Sequence, residues 1–451
     1  MLSILWTLLS FVVALGILVA IHEFGHFWVA RRCGVTVQRF SIGFGKVLWR
    51  KVGQDGTEYV IAAIPLGGYV KMLDERVDEV SADQLEGAFN RKPVLSRIAI
   101  VAAGPIANFI FAIFAFWLMY LIGVSAVKPI VGEIKPQSIA AVAGIEQGQE
   151  IVAINGDATE HWQEVNLALV GLIGNTEATI TVTEPGRSAT IVKRLDLSKW
   201  DFDPETQGPV RSLGLVPFYP EPTKVLAGVE AGSPADLAGL MVGDTLVTLN
   251  GVKIERWQEF VTLIQQSHGT SSTLTYQRNG NTFSTTLVPQ KKQTADGRIY
   301  GYAGVTPTAT PWPEQYQITY DLGPIDALVV GAEKTWQLMD LSIAMLGKLL
   351  TGDISVKNLS GPISIAQGAG QSASYGVVAF LGFLALISVN LGIINLLPLP
   401  VLDGGHLMYY FIELLTGKPV PEKIQEVGFR IGAALLFMLM SIAIFNDFTR
   451  L

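Results

Sequence analysis

The sequence predicts an α-helical membrane protein with four transmembrane helices, a membrane-associated β-hairpin sheet and two small β-rich modules of one kind. Three observations carry that prediction. Hydrophobic residues make up 49 % of the chain against 16 % charged, with a mean hydropathy of +0.39. Four apolar stretches are separated by basic loops, and two central segments repeat each other. The formal charge of −7, with no basic stripe, excludes a nucleic-acid partner. The single cysteine, Cys33, cannot form an internal disulfide.

The first span covers residues 5–30. Apart from Glu23, no Asp, Glu, Lys or Arg occurs between Met1 and Arg31. The stretch is too long for a signal-peptide core and lacks a basic start, so it reads as a membrane-spanning helix. Within it lies Ile21-His22-Glu23-Phe24-Gly25-His26, an H-E-x-x-H pattern. On a helix, positions i and i+4 stack on one face, so both imidazoles can reach one metal ion. Glu23 then stands where it can take a proton from a bound water. A chance match and a helix-packing histidine pair are the plain alternatives. An ionisable group at membrane depth is costly, which favours the metal reading.

Basic residues follow this span (Arg31, Arg32, Arg39, Lys46, Arg50, Lys51), precede the second at 98–124 (Arg91, Lys92, Arg97) and lie between the third at 377–397 and the fourth at 431–445 (Lys418, Lys423, Arg430). Basic loops stay in the cytoplasm. Both termini and the block from Val127 to Gly376 are therefore expected outside, in the periplasm of a Gram-negative cell. The protein would sit in the bacterial inner membrane.

Between the first two spans, residues 35–73 read as glycine-punctuated strands: 37–42, 47–50 and 57–62. Such hairpins would lie against the membrane beside the motif helix. Their edge could bind an extended peptide or serve only as a structural meander. The acidic stretch 74–86 reads as a solvated connector.

The middle of the chain repeats itself. Ser138, Ala143-Gly144, Gly148, Asn155-Gly156 and Trp162-Gln163-Glu164 recur without a gap as Ser233, Ala238-Gly239, Gly243, Asn250-Gly251 and Trp257-Gln258-Glu259. Asn-Gly marks a tight turn between strands, and the segment after each Trp reads as a helix. This pattern resembles tandem PDZ domains of the circularly permuted bacterial type. The resemblance implies two β-rich PDZ domains, at 127–219 and 220–308, whose loops at Leu213-Gly214-Leu215 and Ala303-Gly304-Val305 would face a peptide end. Peptide binding and steric filtering above the membrane both remain open. A connector at 309–376 follows, with an amphipathic helix at 333–350. The membrane parts are then 1–126 and 377–451.

Two histidines leave a catalytic zinc short of a ligand. His161 and His268 fall in the repeats. The end of the third span, Asn395-Leu396-Leu397-Pro398-Leu399-Pro400-Val401-Leu402-Asp403-Gly404-Gly405, offers Asp403. Read alone, Asp403 caps the following helix; beside an intramembrane H-E-x-x-H it reads better as a zinc ligand. H-E-x-x-H in the first span with N-x-x-P-x-P-x-L-D-G later resembles the site-2 protease family of intramembrane zinc metalloproteases. Gly104-Pro105-Ile106-Ala107-Asn108-Phe109 in the second span is part of that likeness.

The resemblance implies Zn2+ held by His22, His26 and Asp403, with Glu23 as base. It implies that Asn395, Pro398 and Pro400 help hold substrate, beside a strand at Gly43-Phe44-Gly45. Substrates would be single-span membrane proteins of the anti-sigma-factor type, already trimmed outside, and leftover signal peptides, met within the lipid bilayer. A membrane metal-ion transporter and a PDZ scaffold with a vestigial site are the competing classes.

Overall fold

The computed structural model describes residues 2–77, 79–184, 189–200, 207–294, 297–352 and 354–449. Among these, four helices are long and apolar enough to cross a membrane: Ile4–Arg32 within the helix Leu2–Arg32, then Val94–Ile122, Val377–Leu396 and Glu422–Thr449. The fourth is longer than the expected 431–445. Its first turns carry Glu422, Lys423, Glu426 and Arg430, which end an apolar run but not a helix. Glu426 and Arg430 pair one turn apart at 2.6 Å.

The second span is the centre of the membrane part. Its Ala112, Ala115 and Phe116 pack with Ala385 and Val389 of the third span and with Ala327 of the helix Pro324–Thr351. Small residues set these close approaches. A Cβ on Gly331 would lie 3.1 Å from both Ile113 O and Trp117 N. The helix Pro324–Thr351 starts earlier than the expected 333, because Pro324 opens it behind Gly323 as N-cap. An unforeseen helix follows at Pro362–Ser374. Its glycine- and serine-rich sequence reads as loop, yet Ala369 is buried against Ala14, Leu18 and Leu384. Asp447, near the end of the fourth span, accepts from the backbone N–H of Gly361 (2.9 Å), Ile363 (2.8 Å) and Ser364 (3.1 Å). That carboxylate does for the Pro362–Ser374 helix what a local N-cap would do.

After the first span, two long strands, Val37–Val52 and Glu58–Met72, replace the three short ones expected. Both are bent. Arg39 to Ile42 faces Lys71 to Gly68 on one side and Glu58 to Ile61 on the other, so two strands form a broader sheet. Phe44, Leu48, Trp49 and Ile64 remain exposed on it, an apolar surface suited to lipid. Asp74 departs from the solvated connector: it is buried and holds Arg76 at 2.6 Å.

The repeated block leaves and returns through one neck. Val124–Val127, directly after the second span, pairs antiparallel with Gln317–Tyr320, directly before the helix Pro324–Thr351. Between them the two copies fold alike. The first has the sheet order Asp157–Ala158, Glu150–Ile154, Glu177–Thr183, Thr190–Asp196; the second has Val252–Lys253, Thr245–Leu249, Ser272–Arg278, Asn281–Leu287. Asn155 (φ 50°) and Asn250 (φ 53°) take left-handed backbone in the Asn-Gly turns, as such hairpins require. Ser138 and Ser233 cap matching short helices, accepting from Ala141 N (3.2 Å) and Asp236 N (3.3 Å). Each copy has its own apolar core.

Among the described residues, the first copy is tied to the membrane part through its helix Trp162–Gly171. Glu164, on its helix Trp162–Gly171, pairs with Lys334. Lys348 donates to Gly171 O (2.6 Å) and Ile173 O (2.5 Å), and the Tyr320 hydroxyl donates to Glu160. In the second copy the matching residues pair on its own surface: Glu255 with Lys253 at 2.8 Å and Glu259 with Arg256 at 3.2 Å.

Candidate metal centre

One turn of helix separates His22 from His26, and their rings meet edge to face with centroids 4.8 Å apart. Asp403, the first residue of the helix Asp403–Thr416, reaches them from the far end of the chain. Its Oδ2 lies 3.2 Å from His22 Nε2 and 3.4 Å from His26 Nε2, and the two Nε2 atoms are 3.2 Å apart. Tetrahedral zinc with bonds of about 2.0–2.2 Å spaces neighbouring ligand atoms about 3.3–3.6 Å apart. The 3.4 Å side lies in that range and the two 3.2 Å sides just below it, so a small outward shift of the ligand atoms admits the ion.

The chemistry of the donors fits as well. Asp403 Oδ2 is buried, close to two imidazole nitrogens, and aligned with neither as a hydrogen bond. An acceptor buried in this way is costly unless a cation completes it. Asp403 does not cap its helix: Leu402 is the N-cap, with no side-chain bond. His26 Nδ1 lies 2.8 Å from Ile100 O, so it carries the proton, donates to that carbonyl and leaves the Nε2 lone pair toward the centre.

Glycines make the space. A Cβ on Gly104 would overlap His26 Nε2 and come within 2.8 Å of His22 Cε1; one on Gly25 would overlap Ala103 O. The first and second spans therefore touch along backbone, with the imidazoles seated over Gly104. On the other side, the turn after the third span is folded tightly by Leu399 N–H donating to Leu397 O (2.7 Å) and Leu402 N–H to Leu399 O (2.8 Å). A side chain at Gly404 would overlap Leu396 O and Leu397 O, and one at Gly405 would overlap Leu399 O. Those contacts hold Asp403 at the end of its reach.

Glu23 is 9 % exposed and lies against the hairpin sheet at Gly68. Gly68 permits this approach, since its Cβ would stand 2.8 Å from both Glu23 Cγ and Val19 Cγ1. Gly43 (φ 92°) and Gly45 (φ 84°) form the bend of the first strand, and Phe44 pairs with Ile64 and stacks on Tyr69 at 6.1 Å. Asn395 is half-buried at the end of the third span and Pro398 is exposed. Pro400 packs on the fourth span, where a Cβ at Gly428 or Gly432 would lie 3.2 Å from its ring.

Sequence reasoning missed the roles of Gly25, Gly104, Gly428 and Gly432, because a glycine's purpose depends on what lies opposite it. For Asn108, fully buried with its Nδ2 3.1 Å from His22 Nδ1, the only signal was the motif likeness.

Comparison with known proteins was informative along the whole length. A family model described as peptidase family M50 matches residues 10–439. The chain is 54 % identical over 451 residues, covering 100 % of both chains, to a Yersinia pestis protein named Protease RseP. An Escherichia coli K12 protein named Regulator of sigma-E protease RseP matches at 54 % with the same coverage. A Vibrio cholerae relative whose name reads zinc metalloprotease is 53 % identical, again over 100 % of each chain.

Proposed function

The chain belongs to peptidase family M50, the site-2 proteases, and is a multi-pass membrane zinc metalloprotease; from that premise we propose which residues do its chemistry and on what substrates. His22, His26 and Asp403 hold the zinc ion and Glu23 is the general base. The triangle of 3.2, 3.2 and 3.4 Å between their ligand atoms carries this reading. When bound, zinc supplies Lewis acidity toward water and the scissile carbonyl. Glu23 takes the proton from the attacking water and returns it to the leaving amine. Its place beside Gly68 keeps the carboxylate against the hairpin sheet.

Substrates are single-span membrane proteins of the anti-sigma-factor type, already cut on the outer side, and remnant signal peptides. The name of the Escherichia coli relative, a regulator of sigma-E protease, supports that class. A helical substrate hides its amides, so the cleaved stretch must unwind. The sheet at Gly43-Phe44-Gly45, with Asn395, Pro398 and Pro400, would hold it extended. The two copies, at 127–219 and 220–308, act as PDZ domains on the periplasmic side of the bacterial inner membrane. Both termini lie on that side, the membrane parts are 1–126 and 377–451, and 309–376 connects them.

A purified Glu23→Gln variant in detergent tests the assignment. It should retain zinc in metal analysis and leave a model transmembrane substrate uncut. Cleavage at the parental rate would remove Glu23 from the chemistry.

A further inference from the structure

We infer that Asn108 is a positioning residue for the metal ligand His22, accepting the proton of its Nδ1 on the carboxamide oxygen so that Nε2 faces the centre as a free lone pair. The inference rests on the reading above that His22 binds zinc.

Ile100, Gly104 and Asn108 are spaced four apart on the second span, so they share one face. That face runs along the motif helix. Ile100 O meets His26 Nδ1 at 2.8 Å, Gly104 lies under both imidazoles, and the Asn108 carboxamide meets His22 Nδ1 at 3.1 Å. Both histidines thus present the same ring atom to the same helix. For His26 the partner is a carbonyl, which can only accept.

The Asn108 carboxamide can do either. With Nδ2 toward His22, it donates to Nδ1 and drives the ring proton onto Nε2, toward His26 Nε2 and Asp403 Oδ2. That tautomer cannot ligate through Nε2. The two ends of a carboxamide have the same shape, and only their hydrogen bonds distinguish them. Turned over, Oδ1 accepts from the His22 Nδ1–H, and both histidines hold one tautomer. The third span steadies this turn of helix: Ser388 Oγ donates to Asn108 O at 2.8 Å, and Gly392 admits the Phe109 ring.

The test compares zinc affinity of the full-length protein and two variants by competition with a chromophoric chelator. Asn108→Leu keeps the shape without an acceptor and should weaken zinc by about ten- to a hundredfold. Asn108→Asp keeps the acceptor and should bind within a few-fold of the parent. Should Leu not fold, Asn108→Ser and Asn108→Ala replace it: Ser is small but can accept and should bind zinc more tightly than Ala, and equal affinities of the two would overturn the proposal. In protein carrying ¹⁵N-labelled histidine, the zinc form should show His22 protonated at Nδ1. Parental affinity in the Leu variant, or a proton on Nε2 with zinc bound, would overturn the proposal. A His22→Ala control separates the two claims: if it keeps parental zinc affinity the ligand reading fails, whereas loss there with no effect at Asn108 sinks only this inference.

Discussion

The metal cradle and the two outer copies solve opposite problems. The candidate cradle gathers three side chains from two segments at opposite ends of the chain, and it does so by letting backbones touch at Gly25, Gly404 and Gly405 and by seating both imidazoles over Gly104. Each outer copy closes on its own contiguous stretch, with a separate core and its own capped helix. Where a site depends on backbone contact, one methyl group decides; where a module is local, loss of function requires breaking a buried partner. The same substitution should therefore have different consequences in the two regions.

Glycine to alanine shows the largest contrast. Gly104→Ala pushes a methyl into His26, and a ligand displaced by about 1 Å costs on the order of a hundredfold in rate. Zinc content and cleavage should both collapse while the helical circular dichroism is kept. Gly243→Ala, in the second copy, meets no neighbouring atom and suffers only its φ of 91°, about 1 kcal/mol. Equal activities for the two variants would show that the cradle has slack to spare.

Within the copies, a buried pair is the weak point. Asp244 is fully buried and takes Arg278 Nε at 2.7 Å and Nη2 at 2.8 Å, with Met241 N–H at 2.8 Å. Burial raises its pKa, yet the Arg278 pair and the Met241 N–H win and hold it below the usual range. Asp244→Ala should cost about 3 kcal/mol, seen as early melting of the second copy in a thermal scan. Gln149, the matching residue of the first copy, holds only Glu146 N–H at 3.0 Å, so Gln149→Ala should cost about 1 kcal/mol. A reversed order would refute the assignment of that pair as the copy's fastening.

The seam between the regions sharpens the comparison further. Lys334→Met removes the cation that ties Glu164 to the helix Pro324–Thr351 and should loosen the first copy by about 2 kcal/mol, read as faster amide exchange in Trp162–Gly171. The second copy's helix Trp257–Gln266 should be unaffected. Exchange unchanged in both would leave the docking to Lys348 and apolar packing.

The smallest effect is a pH dependence at the same seam. Burial, with the Lys334 charge close by, pushes His161 down to about 4 against the Glu160 carboxylate, which raises it; Glu164 and Tyr320 are its other polar neighbours. A histidine depressed in the docked state is neutral there and protonates first when released. Docking is therefore complete above about pH 6.5 and weakens as pH falls toward 4, by about 1 kcal/mol at pH 5.5. Arg256 stands at the matching position of the second copy and does not titrate, so protection in that copy, taken against the intrinsic exchange rate at each pH, should be flat over the same range. A first copy equally flat would place the His161 ring in water.

By itself the sequence determined what periodicity and composition can carry. The apolar runs, the i and i+4 histidines, the tight Asn-Gly turns and the two matching copies are local patterns whose physics is complete within a few residues. The same logic explains its misses: charges at Glu422 to Arg430 hid the start of the fourth helix, and small polar residues hid the helix Pro362–Ser374. Only the tertiary structure decided how near Asp403 comes to His22 and His26, what Gly104 is empty for, that the Asn108 carboxamide faces an imidazole, and how the first copy is tied down. Each of these depends on an atom supplied by another segment, and a one-dimensional pattern does not encode the distance between segments that fold against each other.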